Sequence, residues 1–169
     1  SAPTASPEPA AAVSHPGLPL PTDRGTLFAG SGLCAACHTN MVDESGQDVS
    51  VERYWRSTMM ANAARDPYWR AAVRGETLQA PDYQGVIEDK CATCHTPMAE
   101  VQAETLGAPV ALSGDGFLNP VNPLHEAGQD GVSCSLCHQI QPTNLGTAKS
   151  FSGGYKIDTR TEPPDRVMF

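Results

Sequence analysis

The hydrophobic and polar positions of this chain form one long helical pattern flanked by broken stretches. Residues Val51 to Glu76, "VERYWRSTMMANAARDPYWRAAVRGE", are rich in Ala, Arg, Met and Glu and predict helix. Asp66-Pro67 interrupts the pattern and predicts a second helix, with Asp66 as N-cap and Pro67 at the first position. Met59 and Met60 are then expected on the first helix. Further on, "LGAPVALSGDGFLNPVNP" is too broken by Gly and Pro for a long element. Its "GDGF" invites a calcium reading, but a lone Asp115 supplies little coordination, so a turn is expected. From Lys149 onward, "KSFSGGYKIDTRTEPPDR" predicts a short hairpin or strand and then a loose end. Residues 1–25 read as a Pro/Ala-rich extended arm, and residues 26–169 as one domain. The fold class expected is mainly α with extensive coil.

Composition adds a constraint. Of 169 residues, 40% are hydrophobic but only 6% aromatic, with 15 Gly and 15 Pro. So thin a supply of large apolar side chains calls for a staple, a metal or a cofactor to fill the interior. The net charge of -8 argues against a nucleic-acid partner, which needs clustered Lys and Arg. It suits the steering of a basic partner. No apolar run approaches the ~20 residues of a membrane helix, and no secretory signal is present. The opening "SAPTASPEPAAAVSHPGLPLP" reads as a mature, processed start. We therefore expect an exported protein, periplasmic or extracellular, whose targeting segment lies outside this sequence.

All six cysteines fall in three identical frames, each closed by a histidine: "CAACH" from Cys34, "CATCH" from Cys91 and "CSLCH" from Cys134. C-x-x-C-H is the attachment signature of c-type haem. Two thiols at this spacing add to the two vinyl groups on one haem edge, and the next residue supplies the proximal imidazole. Disulfides explain neither the fixed spacing nor the histidines, although six cysteines allow fifteen pairings. Three zinc half-sites make no tidy set of four-ligand centres, and nothing here resembles the setting of a thioredoxin dithiol. Three covalently bound haem c groups are therefore expected. Cys34, Cys37, Cys91, Cys94, Cys134 and Cys137 would tether them, with His38, His95 and His138 as proximal ligands. Fold and cofactor then merge: a small chain wrapped around three closely packed haems.

The sixth position of each iron separates a wire from an enzyme, since His or Met closes it and an open site binds small molecules. Only His15 and His125 remain, too few for three irons, so at least one haem takes Met or stays open. His125, in a Pro- and Gly-rich loop, and His15, in the low-complexity start, are candidate distal ligands. So is one of Met59 and Met60, against the alternative that both merely fill gaps at a haem edge. Met98 and Met41 lie only three residues past a proximal histidine, too near to cap their own haem. Met98 remains able to cap a neighbour. Met168, next to the end, is expected to pack or fray.

The succession "SGLCAACH", "YWRSTMMANAARDPYWRA", "IEDKCATCHTPMA", "DGVSCSLCHQI" and "FSGGYKID" resembles multihaem c-type cytochromes. More narrowly, it is similar to the cytochrome c554/hydroxylamine-oxidoreductase-related assemblage, over roughly residues 28 to 157. Members often carry a tryptophan followed five residues later by a distal histidine and then alanine. Trp55 and Ala61 match that frame and Met60 stands at the ligand position, so the resemblance favours Met60, with Met59 as the fallback. A thioether there would raise that haem's potential. Related chains commonly continue into further haem motifs, whereas this one stops at "RTEPPDRVMF", as a fragment, a processed form or a short member.

The function expected is electron transfer between redox partners outside the cytoplasm. Those partners would be redox proteins or other cytochromes, copies of the chain itself or a larger complex, docking through small charge-steered patches. The alternative is a module of a multihaem oxidoreductase acting on nitrogen or sulfur compounds. That reading needs an open haem with acid-base groups, and no histidine is left over for proton work. A haem sensor is a third class, but three haems exceed what sensing needs.

Overall fold

A computed structural model describes residues 19–161 and 165. His15 and Met168 lie outside the described residues. Seven α-helices follow one another: α1 Ser31–His38, α2 Val51–Arg56, α3 Pro67–Gln79, α4 Gln84–His95, α5 Pro97–Leu106, α6 His125–Gln129 and α7 Cys134–Cys137. Short 3-10 turns add Pro81–Tyr83 and Ala148–Ser150. Among the described residues there is no sheet, only isolated bridges, and no helix is long and apolar enough to cross a membrane.

The helix α3 starts where the sequence places it. The Asp66 carboxylate accepts from the Tyr68 backbone N–H at 2.9 Å, and Pro67 occupies the first helical position. Trp69, Val73 and Thr77 recur every four residues and form the buried face of α3. Trp69 and Val73 pack with Ala92, Ala99, Ala103, Leu112 and Phe117, in a cluster that joins α3, α4, α5 and the following loop. The three alanines let the helix backbones approach closely. A second cluster gathers Leu27, Phe28, Met98 and Leu136, with Tyr155 and Ile157 against it. Residues 19–25 run beside the start of α1, where Gly32 N–H donates to the Pro21 carbonyl at 2.8 Å.

The stretch before Asp66 departs from expectation. α2 ends at Arg56, and Met59 and Met60 stand in the turns beyond it, not on a helix. The Ser57 and Thr58 hydroxyls donate back to the Tyr54 and Trp55 carbonyls, and Asn62 Nδ2 donates to the carbonyls of Arg56 and Thr58. Such local side-chain bonds compete with the helical ladder, and here they replace it. The expected C-terminal hairpin is likewise reduced to one antiparallel bridge, Ile140 to Ile157. Turns at Ser152 and Gly153, both with positive φ, break the segment ahead of it. "GDGF" is a turn, as expected: Gly116 N–H donates to the Ser113 carbonyl at 2.8 Å.

The Gly/Pro-rich loop after α5 is anchored by Glu88, which is 2% exposed. Its carboxylate accepts from Leu112 N–H at 2.8 Å, Ser113 Oγ at 2.5 Å and Gln84 Nε2 at 3.0 Å. Burial pulls its pKa up, but the bonds from Ser113, Leu112 and Gln84 prevail and hold it below the usual carboxylate range. Glu88→Ala leaves the Leu112 and Ser113 donors unsatisfied and is expected to cost about 3 kcal/mol at neutral pH. Because the folded pKa is the lower one, this stabilisation is complete above the unfolded value, about 4.3, and is lost as pH falls through the folded value. Urea unfolding at neutral pH and at about pH 3 checks it: the gap between wild type and variant should narrow in acid.

Candidate haem attachment sites

All three C-x-x-C-H frames sit on the last turn of a helix. Cys34, Cys37 and His38 end α1, and Cys91, Cys94 and His95 end α4. Cys134 and Cys137 lie on α7, with His138 as its C-cap. Positions i, i+3 and i+4 share a helix face, so each frame turns two thiols and an imidazole the same way. The first cysteine of each frame is half-buried and the second exposed, and all six are free thiols. The chain is thus a small, mainly helical protein whose cysteine pairs have the spacing of haem c attachment motifs.

His95 shows most fully how such an imidazole is prepared. Its Nδ1 lies 2.7 Å from the Ala63 carbonyl. A carbonyl can only accept, so Nδ1 carries the proton and Nε2 keeps its lone pair for a metal. Trp69 stacks on the ring, with centroids 4.1 Å apart and planes 4° from parallel. The Trp69 indole also lies against the Cys91 thiol, whose pKa burial raises while the indole pulls it down. The irregular turns after α2 have a role here, since they present Ala63. His38 and His138 are exposed at the ends of their helices.

The candidate distal ligands differ in how far they are prepared. His125 opens α6, half-buried, and its Nδ1 donates to the Phe117 carbonyl at 2.9 Å. It therefore presents Nε2 in the same way as His95. Met60 is 52% exposed and Met59 71%. The Met60 backbone is fixed, because its carbonyl accepts from Val132 N–H at 3.0 Å, just ahead of the third frame. Trp55 secures the same joint by donating from Nε1 to the Val132 carbonyl at 2.9 Å. Met98 is fully buried, with Sδ accepting from Ser135 Oγ at 3.3 Å, and so serves the core. Met41 is exposed at the surface.

The third frame is tied to each of the other two by long-range contacts. On one side, Asp130 is completely buried and joins α1 to α7. It accepts from Ser31 N–H at 2.9 Å, Ser31 Oγ at 2.6 Å and Ser133 Oγ at 2.6 Å. Ser135 reinforces the seam by donating to the Ala29 carbonyl at 2.7 Å. The Cys34 side chain consequently bears on Cys134, and burial together with that neighbour pushes the Cys134 thiol up to about 11. On the other side, Tyr155 packs against the cluster that contains Leu136 of α7, and its hydroxyl donates to the Thr93 carbonyl of α4 at 3.1 Å. Burial, and then Glu100, hold the Tyr155 phenol well above its ordinary pKa. Gly153 passes so near Thr93 that a Cβ there would meet its Cγ2 at 2.2 Å. Gln141 N–H donates to the Lys156 carbonyl at 2.7 Å, which ties the same segment to the chain just after His138.

Beside this seam, Asp89, Glu100 and Glu104 bring carboxylate oxygens within 4.8 Å of one another. Burial, and then the two neighbouring acids at Glu104 and Asp89, push Glu100 up to about 7.

Sequence reasoning singled out the nine motif residues and His125, but not Asp130, Tyr155 and Trp69. Asp130 and Tyr155 act across long sequence separations, and a one-dimensional pattern carries no trace of that. Trp69 could have been suspected as the largest residue on the apolar face of a well-capped helix. The comparisons with known protein families, with characterised proteins and with solved structures find no match for this chain.

Proposed function

We propose that the chain is a triheme c-type cytochrome that passes electrons between redox partners outside the cytoplasm. The observation that carries this reading is the shared presentation of the three frames, each on a terminal helical turn with thiols and imidazole on one face. The residues fit haem c: the six thiols are free to form thioethers, and His95 already presents a lone pair at Nε2. Bound haem would supply one-electron chemistry at iron. The chain holds and tunes that chemistry. Cys34 and Cys37, Cys91 and Cys94, and Cys134 and Cys137 tether the three groups, and His38, His95 and His138 are the proximal ligands. The Ala63 carbonyl and the Trp69 ring orient the His95 plane, and the carbonyl fixes its tautomer.

His125 and Met60, with Met59 in reserve, are the distal ligands in this reading. His15 is a further candidate. Residues 1–25 serve as an arm to a neighbouring molecule and residues 26–169 as the haem-bearing domain. Partners are redox proteins, other cytochromes, copies of this chain or a larger complex. The resemblance to the cytochrome c554/hydroxylamine-oxidoreductase-related assemblage agrees with this reading.

The test is carbon monoxide binding to the fully reduced protein, scored per haem after the haems have been counted by mass. Three haems and no binding are the expected result, since closed irons make a carrier. Binding at one haem would shift the reading to a module of a multihaem oxidoreductase acting on nitrogen or sulfur compounds. Fewer than three haems would overturn it.

A further inference from the structure

The Asp130 carboxylate is completely buried, and the donors it meets are a backbone N–H and two hydroxyls. Its acceptor capacity goes to two segments that carry different cysteine frames: the first residue of α1 and the residue that precedes Cys134. A buried carboxylate is costly unless its oxygens are satisfied. The three donors, at 2.6 to 2.9 Å, satisfy it only while α1 and α7 stay in register. Displacing either helix would leave the buried carboxyl group without its donors. The register it enforces is the one that brings Cys34 against Cys134.

A different device joins the third frame to the second: Tyr155 packs on the cluster that contains Leu136, between Cys134 and Cys137 in the chain, and bonds to the carbonyl of Thr93, between Cys91 and Cys94. Among the described residues α1 packs on α7 and α2, and α4 on α3 and α5.

Building on the triheme reading, we propose that Asp130 is a positioning residue that locks the first and third haems into a close pair. The third haem is then the relay between the first and the second, so that the order in space is first, third, second. Electrons entering at the haem of Cys34 and Cys37 reach that of Cys91 and Cys94 through the haem of Cys134 and Cys137. The chain's middle motif is thus a terminus, and its last motif is the hub.

The test uses the full-length protein with its haems attached, and spin coupling between ferric haems measured by electron paramagnetic resonance. A haem count below three in the wild type would sink the triheme reading itself, independently of the order. With three haems, Cys134→Ala/Cys137→Ala should lose inter-haem coupling, because the remaining two are the termini. Cys34→Ala/Cys37→Ala and Cys91→Ala/Cys94→Ala should each keep one coupled pair. Coupling that survives removal of the third haem at full strength overturns the order.

Asp130→Asn is read in the two backgrounds that keep the third haem. Its single carbonyl oxygen cannot replace both carboxylate oxygens, so coupling between the first and third haems should be lost. Coupling between the second and third should be unchanged. Equal effects on both pairs, or none on the first, would show Asp130 to be merely structural. Should the variant without the third haem fail to fold, the Asp130→Asn comparison decides by itself. Ser31→Ala, which removes one bond and leaves the carboxylate in place, should move the same signal less.

Discussion

In the triheme reading proposed above, His125→Ala is expected to convert one low-spin haem to high spin and to create one site for carbon monoxide on the reduced protein. The expectation rests on the bond from His125 Nδ1 to the Phe117 carbonyl, which fixes the tautomer and leaves Nε2 as the free donor. A surface histidine with no ligand role has no need of that arrangement at the start of a five-residue helix. His125 is only half-buried, so the cost of removing it to the fold is small beside its effect on an iron. Added imidazole should restore the low-spin spectrum by filling the vacated position. Three low-spin signals in the variant would show that His125 is not a ligand, and its bond to Phe117 would then be a helix-start contact only.

Trp69→Ala should produce the largest loss of stability, about 3–5 kcal/mol, the usual cost of cutting a buried tryptophan to alanine. Trp69 is 8% exposed and stands at the centre of the α3–α4–α5 cluster with Val73, Ala92 and Phe117. Three of the six other buried side chains in the cluster are alanines, which cannot swing in to fill the gap. The variant also loses the parallel stack on His95, one of the two restraints on that imidazole; the other is the bond to Ala63. Urea unfolding reads the stability. The g-values of the second haem read the ring orientation. Trp69→Phe should recover part of the stability, yet still shift those g-values, because a smaller ring covers less of the imidazole. A spectrum unchanged in both variants would mean that the bond from His95 to Ala63 orients the ring unaided.

The local chemistry was legible in the sequence wherever it depends on residues close together in the chain. Asp66 and Pro67 start α3 because a cap and a fixed φ act within one turn. The cysteine frames are helical for a related reason: i, i+3 and i+4 meet on one face whatever the rest of the fold does. Where short-range forces compete, the reading failed. Ser57, Thr58 and Asn62 all have helix-compatible neighbours, yet their side chains capture the carbonyls that a helix needs, and α2 stops at Arg56. Composition could not weigh those bonds against the ladder.

The amino-acid sequence alone establishes three C-x-x-C-H frames, a mainly helical chain and only two histidines outside those frames. Tertiary structure alone decided which frames are neighbours. Their order along the chain is first, second, third, but the buried Asp130 carboxyl ties the first to the third, and Tyr155 links the Leu136 cluster to Thr93. Contacts between residues 99 apart, such as Ser31 with Asp130, exist only once the chain has closed on itself. The cost of closing a loop depends weakly on its length. Separation along the chain therefore says little about which segments meet, and the demand of a buried carboxylate for donors says much more.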